Sequence, residues 1–308
     1  MKGQTFYHSS AVYVKGGLFV EPVNAIELLG VTKRFGEVVA NDNVNLTVRK
    51  GEILSILGEN GSGKTTLMNM LSGIYFPDEG HIQVGGREVT IRSPKDAFAC
   101  GIGMIHQHFK LVDVFSAAEN IVLGLDGERK LDLKAASAKI LEISEKYGFS
   151  IDPNKKIYDM SVSEKQTVEI VKVLYRGADI LILDEPTAAL NERDSRNLLD
   201  LLKTLQQEGI TCIIISHKLN EICYIANSIT VLRDGRTVAD FEDASQVSED
   251  TLIKHMVGRE LSNRYPPRAH KPSEGVFFEV KDWCVHHPEF PEKLVIKHAD
   301  IQLRRGEV

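Results

Sequence analysis

The sequence predicts an α/β domain built on a mostly parallel sheet, and three observations predict it. Short apolar runs (Glu52 to Leu57, Ile180 to Leu183 and Ile210 to Ile215) are rich in β-branched residues and bounded by turn residues, as strands buried on both faces are. Stretches with helical spacing alternate with them, the pattern of a sheet covered by crossover helices. A glycine-rich segment, Gly58 to Gly63, joins the first run to a helical stretch.

The elements follow in chain order. Ile26 to Leu29 and Val44 to Val48 read as short strands with a turn at Gly36 between them. After the glycine-rich segment, Leu67, Met70, Leu71 and Ile74 recur at helical spacing, and Gly73 sits near the helix end. Leu131 to Tyr147, Lys165 to Tyr175 and Arg193 to Gln207 also read as helices. Asp234-Gly235 between Ile229–Arg233 and Thr237–Phe241 signals a hairpin. Residues 26–245 therefore form the main domain, and residues 246–275, with three prolines, a terminal helix running into a linker.

An internal repeat sets the remainder. Val48-Arg49-Lys50-Gly51-Glu52-Ile53 resembles Leu303-Arg304-Arg305-Gly306-Glu307-Val308, an offset of 255 from Gly51 to Gly306. Ile26-Glu27-Leu28 resembles Phe278-Glu279-Val280, an offset of 252 from Glu27 to Glu279. Residues 276–308 are thus expected to open a second copy of the domain that stops before its glycine-rich loop. Too short to bury its strands, this segment should be loosely held, with edges prone to association.

Composition narrows the function classes. With 308 residues of which 43% are hydrophobic, the chain can bury a full core. The formal charge of −6 weighs against nucleic acid as the main partner. Four scattered cysteines with no CxxC pair fit free thiols better than a disulfide framework or a zinc site. No apolar run approaches the ~20 residues of a membrane helix, so membrane association would pass through a partner. Residues 1–25 read as an extension without an assigned role and without the apolar stretch of a leader.

Gly58-Glu59-Asn60-Gly61-Ser62-Gly63-Lys64-Thr65 fits G-x-x-x-x-G-K-[ST] between a strand and a helix. Glycines let the loop turn its N–H groups inward around phosphates, and the helix N-terminus adds favourable partial charge. Lys64 would reach the β- and γ-phosphates, the Thr65 hydroxyl would bind Mg²⁺, and Thr66 extends the nucleotide-binding set. Downstream, four apolar residues end in Asp184-Glu185. Alone, the pair would be two solvated acids before Pro186; behind a phosphate loop, Asp184 is the metal partner and Glu185 the candidate general base. His217 ends the next apolar run, where a γ-phosphate contact is the sharper reading and a packing residue the plainer one. His106 and His108 are two ligands without a third, which is no metal site.

Together these pieces resemble the ATP-binding-cassette family, and the resemblance covers residues 26–308. It implies a P-loop NTPase with a RecA-like parallel sheet, an N-terminal antiparallel β-subdomain and a helical subdomain over about residues 108–176. By the same resemblance Phe35 stacks on adenine, and Gln107 touches Mg²⁺ and the attacking water. Met160-Ser161-Val162-Ser163-Glu164-Lys165-Gln166 stands where the family's Leu-Ser-Gly-Gly-Gln signature belongs. Ser161 would bond a phosphate of the facing cassette, and Ser163 replaces a glycine, its Cβ narrowing that approach. Asn191 stands where the family commonly has Asp. Asp184 to Asn191, Ile215 to Ile222 and Asp282-Trp283 with His287-Pro288 look like importers of simple sugars; Met104 to Phe109, Ala118 to Gly124 and Tyr175 to Asp179 look like nucleoside importers. The implied protein hydrolyses ATP with Mg²⁺ at the cytoplasmic face of the membrane. Its partners would be membrane subunits, a second cassette and, indirectly, a solute-binding protein, with no nucleic acid. A soluble cassette ATPase and a non-catalytic regulatory cassette are the competing readings; a small GTPase is disfavoured because no Asn-Lys-x-Asp element occurs.

Overall fold

The computed structural model describes residues 24–125, 132–258, 275–288 and 290–306. Most of the expected extension at the N-terminus and most of the expected linker therefore lie outside the described residues, while Asn24 and Ala25 belong to the first strand. The chain divides into two compact units, Met1–Glu260 and Leu261–Val308.

The first unit opens with β1 (Asn24–Phe35) and β2 (Val38–Arg49), a hairpin turning at Gly36, each strand longer than the short runs expected. Next come β3 (Ile53–Leu57), α1 (Lys64–Leu71), β4 (Glu79–Val84), β5 (Arg87–Val89), α2 (Pro94–Ala99) and β6 (Ile102–Ile105). Three helices follow, α3 (Ala117–Val122), α4 (Leu133–Tyr147) and α5 (Val162–Tyr175). The unit continues with β7 (Ile180–Asp184), α6 (Glu192–Gln207), β8 (Thr211–Ile215) and α7 (Leu219–Ile225). It closes with β9 (Ser228–Arg233), β10 (Arg236–Phe241) and α8 (Glu249–Val257).

These strands form two sheets. A six-stranded sheet runs β10-β9-β3-β8-β7-β6, parallel throughout except for the β9–β10 hairpin. Every residue of β3, β7 and β8 is buried, which is why these strands read as unbroken apolar runs. An antiparallel sheet, β2-β1-β4-β5, buries Ile26, Leu28, Val31, Val44, Leu46 and Val48 in a core shared with Leu67 and Leu71 of α1. The helices α3, α4 and α5 gather around a separate apolar cluster that includes Ala117, Ile121, Ile140, Val168 and Val171. Gly103 lets α5 close on β6: a Cβ there would lie 1.8 Å from Val173 Cγ1.

Capping residues set several helix ends. Ser116 caps α3 and Ser161 caps α5, each in a reciprocal box with Glu119 and Glu164. The box at Ser161 starts α5 three residues earlier than the apolar spacing indicates.

The second unit is one antiparallel ribbon, β11 (Val276–His286) with β12 (Leu294–Arg304). Its register repeats that of β1–β2. Ile26↔Val48, Leu28↔Leu46, Val31↔Val44 and Lys33↔Asn41 correspond to Phe278↔Leu303, Val280↔Ile301, Trp283↔Ala299 and Val285↔Ile296. Each correspondence is a shift of 252 residues on the first strand and 255 on the second. All four register irregularities coincide under the same shift. So do the left-handed residues: Gly30 (φ 64°) with Asp282 (φ 53°), and Asn43 (φ 51°) with His298 (φ 48°). The ribbon leaves Phe278 and Trp283 48% and 43% exposed, whereas the equivalent positions in the first ribbon, Ile26 and Val31, are fully buried.

Candidate functional site

Between β3 and α1 the chain takes three left-handed turns at Gly58 (φ 155°), Gly61 (φ 83°) and Gly63 (φ 95°). A Cβ on Gly58 would lie 2.2 Å from the Leu232 carbonyl oxygen, and one on Gly63 would lie 2.4 Å from that of Ala40. Only glycine fits these two positions. Gly63 is also the N-cap of α1 and supplies no side-chain oxygen, so the first N–H groups of the helix face into the loop uncapped.

Lys64 folds back into this loop. Its Nζ donates to the carbonyls of Gly58 and Glu59, both at 2.8 Å, and to Ser62 Oγ at 3.4 Å. Burial lowers the pKa of the ammonium, an effect the charges of Glu185 and Asp184 partly oppose. Asp184, at the end of β7, is pushed the other way. Burial raises its pKa, the neighbouring Glu185 raises it further, and Lys64 lowers it.

Glu185 follows in a left-handed conformation (φ 46°), disfavoured for a residue with a Cβ by ~1–3 kcal/mol. The strain aims its carboxylate between two groups. Gln107 Nε2 donates to Oε2 at 3.2 Å, and His217 Nδ1 lies 3.1 Å from Oε1. The Glu185 N–H donates to the Ile215 carbonyl at 2.9 Å, fastening the end of β7 to β8.

A cavity of about 370 Å³ brings together Asn60, Gly61, Ser62, Gly63, Lys64, Thr65, Thr66, Gln107, Asp184 and Glu185. Thr65, Gln107 and Asp184 thus offer three oxygen donors to one space, a set suited to a hard divalent cation such as Mg²⁺. His217 reaches it through Glu185, and Gly58 forms the base of the loop. Phe35 stands at the end of β1, its ring edge-on to Tyr75 at 5.1 Å, with Lys33 Nζ 5.5 Å from its centroid.

Ser161 and Ser163 are not among the residues lining this cavity. Ser161 Oγ accepts from the Glu164 N–H at 3.2 Å, and Glu164 in turn binds the Ser161 N–H and Lys155. The hydroxyl expected to face a phosphate therefore also holds a helix end. Ser163 lies inside α5 and is not left-handed, so that position needs no glycine for its own backbone. Asn191 caps α6, its Oδ1 accepting from the Asp194 N–H at 2.9 Å, a task Asp performs equally well. His106 is half-buried beside Met104 and Phe98, and burial lowers its pKa. The His/Cys/acid trio among the described residues lies instead on the second ribbon, at Asp282, Cys284 and His298.

Several contributors carry no sequence motif. Val38, Val39 and Ala40 form one wall of the cavity. Buried Gln166 of α5 donates to the Pro186 carbonyl at 2.7 Å, tying that helix to the turn after Glu185. Asn41, fully buried, donates to the Gly63 carbonyl at 3.3 Å. The exposed apolar pair Val38-Val39 was the available signal for the first of these.

The opposed shifts of Asp184 and Lys64 yield a stability prediction. The Asp184 pKa lies above its unfolded value, so its ionised form subtracts stability once pH passes ~4. Without nucleotide, Asp184→Asn should therefore have a higher Tm than the parent at pH 7. The gain should shrink towards pH 4. A lower melting point for the variant at pH 7 is the contrary result.

The family profile described as ABC transporter matches residues 41–188. The chain is 47% identical over 285 residues to the nucleoside import ATP-binding protein NupA of Lactococcus lactis, covering 92% of this chain and 56% of that protein. It is 45% identical over 288 residues to the L-arabinose transport ATP-binding protein AraG of Geobacillus stearothermophilus, with the same coverages of 92% and 56%. To the xylose import ATP-binding protein XylG of Thermoanaerobacter pseudethanolicus it is 42% identical, again over 92% and 56%. The chain spans about half the length of the curated relatives it matches. Among solved structures, a cassette of an ABC transporter in its ADP conformation superposes with TM-score 0.66 at 25% identity, covering 77% of this chain and 99% of that one. A bacterial ABC transporter cassette solved as a dimer gives TM-score 0.62 at 28% identity, covering 72% and 100%. The sheet order, the glycine loop at the head of α1 and the acid pair ending β7 are thus the parts of a P-loop NTPase, and the chain carries an ATP-binding cassette of the ABC transporter family.

Proposed function

We propose that this chain is the ATP-hydrolysing subunit of a membrane importer for a simple sugar. One observation carries the chemistry: the Glu185 carboxylate is held between Gln107 and His217, beside Lys64 and Asp184 in one cavity. The reaction is attack of water on the γ-phosphorus of ATP, releasing ADP and phosphate.

The carbonyls that Lys64 now satisfies are internal stand-ins for phosphate oxygens, and the inward N–H groups of the loop and of α1 add positive potential. Glu185 takes the proton of the attacking water, while Gln107 and His217 hold its carboxylate in line. Thr65, Asp184 and Gln107 would hold Mg²⁺, which supplies charge neutralisation on the phosphates. Phe35, oriented by Tyr75, stacks on the adenine.

Ser161 and Ser163 lie outside their own chain's cavity, as groups that complete a facing cassette's site must. The dimeric cassette among the structural relatives supports that arrangement. The second cassette is either part of the same polypeptide or supplied by self-pairing. The shared register of the two ribbons supports reading the second unit as the opening hairpin of a further cassette. Membrane subunits would dock near Gln107 on the cytoplasmic face, with a solute-binding protein acting through them. No helix of the described residues is long and apolar enough to cross a membrane.

The solute reading rests on the arabinose and xylose relatives and on the motifs of Asp184–Asn191 and Ile215–Ile222. A nucleoside is the second reading, favoured by NupA and by Met104–Phe109. Phosphate release from Mg²⁺-ATP should rise more steeply than chain concentration, because a pair completes the site. Deleting the coding sequence should abolish uptake of labelled pentose; loss of nucleoside uptake alone establishes the second reading instead.

A further inference from the structure

We infer that Glu221 is a positioning residue: through Thr187 and Lys218 it locks the turn that carries Glu185 to the loop that carries His217. The inference rests on the hydrolytic reading above for its catalytic consequence, while the lock itself stands on geometry.

Both carboxylate oxygens of Glu221 are used. Oε2 accepts from Thr187 Oγ1 at 2.5 Å, and Oε1 accepts from Lys218 Nζ at 3.0 Å. Lys218 Nζ also donates to the Thr187 carbonyl at 3.0 Å and lies 3.3 Å from its Oγ1, which closes a ring of three residues across two loops. The Lys218 N–H donates to Ser216 Oγ at 3.1 Å, pinning the second loop on itself. Thr187 is 2% exposed and the Glu221 side chain 11%, so water competes little for these bonds.

The placement gives the ring a task. Thr187 is two residues beyond Glu185, and Lys218 is the residue after His217. Glu185 is left-handed without being glycine, a conformation that persists only where surrounding contacts over-determine it. The turn is fastened on one side by the Glu185 N–H to Ile215 and on another by Gln166 to the Pro186 carbonyl. The Thr187–Glu221–Lys218 ring is the third fastening, and of the three it is the one tied to the loop of His217. Glu221 has a firm base: its neighbour Ile222 on α7 is buried against Leu57, Ile229 and Val231. The ring touches neither the glycine loop nor Lys64, so it should govern alignment for the chemical step and leave nucleotide affinity alone.

The test compares the 308-residue chain with Glu221→Ala, Glu221→Gln, Thr187→Val and Thr187→Ser. Amide hydrogen exchange is followed at residues 185–191 and 216–219, alongside kcat and KM for Mg²⁺-ATP. Glu221→Ala and Thr187→Val should speed exchange in both loops about tenfold or more while β3 and β7 stay protected. Where the parent turns over, kcat should fall about 10- to 100-fold with KM moving less than about threefold. Glu221→Gln should fall between, since its amide oxygen still accepts from Thr187; Thr187→Ser should match the parent. Unchanged exchange in Glu221→Ala overturns the lock. So does loss of protection spread equally through the sheet, which marks a general stabiliser. Faster loop exchange in a chain that never hydrolyses ATP leaves the lock standing and sinks the hydrolytic reading. Faster exchange with kcat unchanged in an active chain removes Glu221 from positioning.

Discussion

Glu185→Gln is expected to bind Mg²⁺-ATP as the parent does and to lose about 10²–10⁴-fold of its turnover, the usual contribution of a general base. The amide keeps the shape of the carboxylate and can still meet Gln107 and His217, which lie 3.2 and 3.1 Å from the present oxygens. What it cannot do is take a proton. The fold should not suffer, because the left-handed backbone at this position costs Gln what it costs Glu. Removing the charge also takes away one of the two causes that raise the Asp184 pKa. Nucleotide titration and phosphate release on the same samples make the comparison; turnover within about threefold of the parent would take Glu185 out of this role.

Lys64→Ala should fail earlier, at binding. A hydrogen bond to a charged group contributes ~1.5–3 kcal/mol, so losing the ammonium should weaken ATP about 10- to 150-fold. The consequence reaches beyond phosphate. The carbonyls of Gly58 and Glu59 lose their donor, and Asp184 loses the one neighbour that lowers its pKa. Calorimetric titration with ATP measures the effect, and a dissociation constant within about twofold of the parent would contradict it. The two variants thus separate: one binds and stalls, the other scarcely binds.

The phosphate loop and the acid pair were legible because their chemistry sits in contiguous residues. G-x-x-x-x-G-K-[ST] needs only local spacing, and β7 shows as an apolar run because both its faces are covered. Short or half-exposed elements were not legible. β4 buries one residue of six and shows no clean alternation, and α2 and α3 span six residues each, under two turns. Site features made by tertiary contact were equally silent. Phe35 meets Tyr75, and Thr187 meets Glu221, only after the sheet has assembled. The Ser161 hydroxyl shows a third limit: a residue can serve a helix cap and a motif at once, and the sequence displays both without ranking them.

The two ribbons share their pairing but almost none of their side chains. Across residues 24–35 and 38–49 and their counterparts, the identical pairs are Glu27 with Glu279 and Arg49 with Arg304. At the kinks, glycine answers to aspartate and asparagine to histidine. What the two ribbons share is a bend in the backbone, written each time in a different alphabet. Comparison of the two ribbons letter by letter misses their likeness, and a search for similar ribbons should look for the spacing of the kinks rather than for the residues that make them.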